Sequence, residues 1–185
     1  MKRLAGRKEE SVKRTQTETG FSLIELLIVV AIILIIAAIA IPNLMRARMS
    51  ANDSSAAASV RSISTAEIAY RDTYPTIGFA ATLGTLGGAS PCTPGVATGC
   101  LIDNYLATAL PGGTGKSGYF FNAAGSPSAG ALINDQFYTT GTPMTAQTGT
   151  RSYCADEDAI VRLQPPGTIT LVASRVACTL LNPMN

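Results

Sequence analysis

The strongest pattern along the chain is an unbroken apolar run from Leu26 to Ile41, headed by Phe21-Ser22-Leu23-Ile24-Glu25. As a helix, residues 21–41 are long enough to cross the hydrocarbon core of a bilayer, about 30 Å. Past Pro42 the run gives way to a period. Ala56, Val60, Ile63, Ala66 or Glu67, Tyr70 and Tyr74 recur at spacings of three and four, the signature of an amphipathic helix with one covered face. Arg46, Arg48, Asp53, Arg61, Arg71 and Asp72 mostly fall off that stripe, and Ala51, Ser54, Ser55 and Ala56–Ala58 keep the surface thin. Pro42 has no amide hydrogen and is expected to kink or locally melt the helix where its two halves meet. Tyr74-Pro75 ends it, because the residue before proline avoids helical angles.

From there to about Lys116 the chain is rich in Gly, Pro, Thr and Ser without a sustained period. A long surface loop is predicted, with one helical turn near Ile102–Leu110. Strands are predicted at Gly118–Ala123 and Gln136–Thr140, in a hairpin of Ser152–Ala155 with Ile160–Leu163, and at Thr168–Ala173. Tyr119, Phe120, Phe121, Phe137, Tyr138 and Tyr153 lie in these segments, and aromatic side chains suit a half-buried sheet. An antiparallel sheet with one apolar face would cover the helical stripe. The expected fold class is therefore α+β: a long N-terminal helix, apolar then amphipathic, packed against a small antiparallel sheet.

Charge sharpens the N-terminal picture. The net charge is +2, but residues 1–20 hold six basic and three acidic side chains, and the other 165 hold eight and nine. A basic tract before an apolar segment keeps that end in the cytoplasm, which gives an N-in, C-out orientation. An ordinary signal peptide is cut after its apolar core, at small residues; here Pro42-Asn43-Leu44-Met45 follow the core. A carboxylate within a spanning segment costs about 2.5–3.5 kcal/mol. A plain membrane anchor has no use for Glu25.

A basic leader ending at Gly20, then Phe21, then an apolar segment with Glu25 at the fifth position and Pro42 one helix-length on, resembles the type IV prepilin signal. The resemblance covers residues 1 to about 72. It implies cleavage after Gly20 and methylation of the new Phe21 amine by a prepilin peptidase and methyltransferase. It implies also a pairing of Glu25 with the Phe21 amine of a neighbouring subunit in a helical homo-polymer. The partners implied are the lipid bilayer before assembly, an inner-membrane assembly platform and further copies of the chain. The order loop, Gly-Tyr-Phe-Phe, strand, acidic turn, strand is similar to the heads of major pilins and of type II secretion pseudopilins.

Cys92, Cys100, Cys154 and Cys178 all lie in the exported part. An even number in an oxidising compartment reads as two disulfides with three possible connectivities. Cys92–Cys100 with Cys154–Cys178 is favoured, because each closes a short local loop. No C-x-x-C pair and no histidine supports a metal site. Asp156-Glu157-Asp158 groups oxygen ligands of the kind calcium takes, and some pseudopilins bind calcium in this part of the head. The competing reading is a solvated turn. Gly112-Gly113-Thr114-Gly115-Lys116-Ser117 imitates a phosphate loop, but Leu110 stands where the pattern needs its first glycine.

With no histidine, acid–base and serine-nucleophile catalysis lack their usual base. The mature part has no basic run of the kind that marks a specific nucleic-acid interface. No enzyme activity and no cofactor are expected. The segments anticipated are a cleaved leader at 1–20, a membrane and filament-core helix at 21–41, an amphipathic helix at 42–73 and a disulfide-braced head at 74–185. The function expected is that of a structural subunit of a type IV pilus, a surface fibre for adhesion or motility. The alternatives are a pseudopilin in a short periplasmic fibre, or a membrane-anchored periplasmic binding or enzymatic domain.

Overall fold

A computed structural model of the chain describes residues 20–167 and 170–184. Residues 1–19 of the leader expected at 1–20, and the first two residues of the strand expected at Thr168–Ala173, lie outside the described residues. The chain divides into two compact units, one ending at Ile41 and the other beginning at Pro42. Helix α1, Leu23–Thr73, contributes to both, with Pro42 inside it.

In the first unit α1 opens where the Ser22 carbonyl accepts from the amides of Glu25 (3.1 Å) and Leu26 (3.2 Å). Glu25 then sits in the first turn, where the helix dipole favours a negative charge. Every large apolar side chain from Phe21 to Ile41 is exposed. Among the described residues, this unit has no core of its own.

The second unit is an α+β head. Its share of α1 buries Ala56, Ala57, Val60, Ile63, Ala66 and Tyr70. Two short helices follow, α2 (Leu83–Leu86) and α3 (Asn104–Ala107), the latter capped by Asp103, whose side chain accepts from the Leu106 amide. The sheet comprises β1 (Tyr119–Ser126), β2 (Gln136–Pro143), β3 (Tyr153–Asp156), β4 (Arg162–Leu163) and β5 (Asn182–Pro183). The strands are antiparallel and adjacent in chain order. Helix α4 (Arg175–Thr179) precedes β5.

Alternation along β1 sends Tyr119, Phe121 and Ala123 inward, where they join Val60, Ile63, Tyr153, Ala155 and Val161 in one core over α1. Leu83, Leu86 and Leu106 extend that core under the loop region. Strand β3 is buried along its whole length. Its other face carries Cys154, packed with Val172 and Cys178, so α4 and the segment before it cover the outer side of the sheet there.

Three sequence expectations need correction. The region after α1 holds a second helical turn, α2, whose Leu83 and Leu86 are both buried; one turn of four residues is too short to produce a period. Strands β1 and β2 run past the expected ends at Ala123 and Thr140. Gly125 and Gly141 lie just past those ends, and each sits where the chain approaches its neighbours closely. A Cβ at Gly141 would come within 3.1 Å of both Phe121 and Val60. Finally, residues 170–173 form no strand. The edge of β4 is taken by β5, with Arg162 opposite Pro183 and Leu163 opposite Asn182.

Candidate functional site

Gly20 and Phe21 precede the first turn of α1. A Cβ built on Gly20 meets nothing within 4 Å. Among the described residues, nothing in the fold asks for glycine there. Phe21 is 79% exposed. Four residues on, Glu25 carries the one carboxylate of the apolar segment. Leu23, Ile24, Leu26, Leu27 and the run to Ile41 surround it with exposed hydrocarbon. Helix α1 is long and apolar enough to cross a membrane.

The head fixes its part of α1 through a polar node that sequence reasoning placed on the wrong face. Asp53 accepts from the Tyr119 hydroxyl, from the Thr150 amide at 3.0 Å and from the Thr150 hydroxyl. Burial, with Asp53 accepting from its hydroxyl, holds the Tyr119 phenol well above its usual range. Asn52 adds a bond from its side-chain amide to the Thr148 carbonyl at 2.8 Å. The available signal was spacing: Asp53 lies three residues before Ala56 and so continues the buried stripe. Further along that stripe Glu67 is fully buried. Its Oε2 accepts from the Ala80 amide at 2.8 Å, and its Oε1 has no partner. Burial pushes its carboxyl up to about 8, against the lowering effect of the Ala80 amide.

The acidic turn is knitted into ion pairs. Arg162 bonds Asp156 at 3.1 Å and also Asp158, whereas Glu157 turns to Arg175, with 2.6 Å between Nε and Oε1. Arg162 holds Asp158 down to about 2, whereas burial and the neighbouring Asp158 raise Asp156. Among the described residues no three acidic, cysteine or histidine side chains converge in a way that could hold a metal ion. The structure pairs Cys92 with Cys100 and Cys154 with Cys178. At the imitation phosphate loop, the Lys116 ammonium approaches Asp103 at 3.9 Å and the Ser59 hydroxyl at 3.5 Å, and the Ser117 hydroxyl is bonded by Ser55. That loop is fastened to α1.

Comparison with known proteins agrees with the reading of the N-terminal segment. Residues 16–41 match the family described as "Prokaryotic N-terminal methylation motif". The chain is 71% identical over 34 residues to "Type IV wide pilus major component PilA4" of Thermus thermophilus. That stretch covers 18% of this chain and 26% of the relative. No solved structure matches the chain. The chain thus carries the methylation motif at residues 16–41, shares a short stretch of high identity with a type IV pilus component, and has a pilin-like α+β fold.

Proposed function

We propose that the chain is a structural subunit of a type IV pilus, made as a precursor, cleaved after Gly20 and polymerised through its N-terminal helix. The observation that carries this reading is the exposed apolar surface of residues 21–41, with Glu25 as its one carboxylate. Such a surface has two satisfactory environments, lipid and the helices of further copies. Glu25 separates them. In lipid it is a liability; between copies it can pair with the Phe21 amine that cleavage exposes. The basic leader supports an orientation with the N-terminus in the cytoplasm and the head outside it. The partners are then a prepilin peptidase, an assembly platform and the chain itself.

The test is substitution of Glu25. Glu25→Gln keeps the shape but loses the charge that attracts a neighbour's amine, and Glu25→Ala loses both. Each should leave insertion and cleavage intact while reducing sheared filament relative to the cleaved membrane pool at least tenfold. Normal filament yield from both would remove the paired charge from the mechanism. Mass spectrometry of sheared filaments addresses the pseudopilin alternative: a pilus subunit dominates them, and a pseudopilin does not.

A further inference from the structure

The head carries an open cleft of about 430 Å³ where α1 enters it, bounded by Arg46, Ser50, Asp53 and Ser54 on the helix and by Thr150 and Arg151 on the facing loop. Its charge is unbalanced. Asp53 is already engaged by three donors from Tyr119 and Thr150. Arg46 and Arg151 have no carboxylate partner among the described residues, whereas Arg71, Arg162, Arg175 and Lys116 each have at least one. Two arginines therefore line a cleft in which the one carboxylate is committed elsewhere. Arg48, also without such a partner among the described residues, follows Arg46 by two positions.

Sequence position says what meets this cleft. Arg46 comes five residues after Ile41, the last residue of the apolar run. As helix those five residues rise about 7.5 Å. The polar headgroup layer occupies roughly 5–7 Å on each side of the hydrocarbon core. Arg46 thus falls within reach of lipid phosphates whenever residues 21–41 are in a bilayer. Guanidinium groups match phosphate oxygens through paired N–H donors, and the volume is that of a small-ligand site. Ser50 and Ser54 line the same cleft.

We infer that this cleft binds the phosphodiester headgroup of an anionic membrane lipid, holding the head against the bilayer before the subunit is drawn into a fibre. The inference rests on the reading of residues 21–41 as a membrane segment and adds a lipid site to it. In the assembled fibre the site is vacated as the helix leaves the lipid, so it belongs to the stored precursor pool.

Native mass spectrometry of the full chain in detergent micelles tests it, with phosphatidylglycerol, phosphatidylcholine and soluble glycerol phosphate supplied separately. Wild-type protein should retain phosphatidylglycerol in preference to phosphatidylcholine. Arg46→Gln and Arg151→Gln should each weaken retention about fivefold and the pair about twenty-five-fold. Arg61→Gln, on the same helix but away from the cleft, should match wild type. Circular dichroism of the tyrosines shows whether each variant keeps its fold, and Arg46→Glu supplies a second variant at an exposed helical position. Equal retention by the double variant, equal loss in Arg61→Gln, or no preference between the lipids would overturn the proposal. Glycerol phosphate binding as tightly as the lipid would assign the cleft to a soluble anion and overturn it too. Filament yield is measured in parallel. Lost lipid retention with normal filaments in wild type fails this site alone, whereas retention without filaments fails the pilus reading alone.

Discussion

At the scale of single residues, the informative positions are polar groups on the buried stripe of α1. Glu67 belongs to it because the helical period places it between Ile63 and Tyr70. The period shows where the side chain lies but not its protonation, which depends on how little water reaches it. Its folded-state carboxyl is raised from the ordinary 4.5 to about 8, so the folded head holds a proton that the unfolded chain releases. The contribution is complete below about pH 4.5 and is lost as pH rises through about 8. Micelle-solubilised protein should therefore melt at a lower temperature at pH 8 than at pH 5, and Glu67→Gln should flatten that difference. An unchanged slope in the glutamine variant would assign the pH dependence to another group. Tyr119→Phe probes the node at Asp53. It leaves a carboxylate short of a donor and should cost about 1–3 kcal/mol in thermal unfolding, whereas Tyr105→Phe, at an exposed site, should be neutral.

At the scale of elements, legibility follows length and period. The stripe from Ala56 to Tyr70 repeats for more than three turns, so the sequence reveals it without ambiguity. Strand β1 is readable from its aromatic residues. Its extension, like that of β2, is hidden by glycines that serve close packing against neighbouring backbone and side chains. The two-residue strands β4 and β5 and the five-residue α4 are held by tertiary contacts, and their sequences carry no signal of their own. The Cys154–Cys178 bridge supplies one such contact, joining β3 to α4 across 24 residues. Loop-closure entropy assigns it about 3 kcal/mol and the eight-residue Cys92–Cys100 bridge rather less. Replacing both Cys154 and Cys178 with serine should lower the melting temperature more than replacing Cys92 and Cys100. It should also open the segment from 164 to 184 to limited proteolysis. A C-terminal segment equally protected in both double variants would show that Val172 and β5 hold it without the bridge.

At the scale of the whole molecule, the two units solve opposite problems. The head buries its apolar surface internally, under a sheet that covers one face of α1. Among the described residues, the unit ending at Ile41 buries almost none and depends on its surroundings. That division is legible in the sequence, because a continuous apolar run and a periodic one adjoin at Pro42. What the sequence does not display is the basic cleft, since Arg46 and Arg151 are 105 positions apart and meet only through the fold. The unit's dependence on its surroundings also makes the cleavage step decisive. On the proposed reading, cutting after Gly20 removes the charged leader and presents a free amine next to an exposed apolar helix. The mature chain should begin at Phe21 and carry a methyl group on its amine, as the motif across residues 16–41 implies. Because a side chain at position 20 would touch nothing, Gly20→Val should leave the head's melting temperature unchanged and still block processing. Intact mass of the membrane-extracted protein, with a thermal melt beside it, reads both effects. A wild-type chain that keeps its leader, or a valine variant cleaved as efficiently as wild type, would mean that Gly20 is not the recognition residue. The filament reading would then lose its first step.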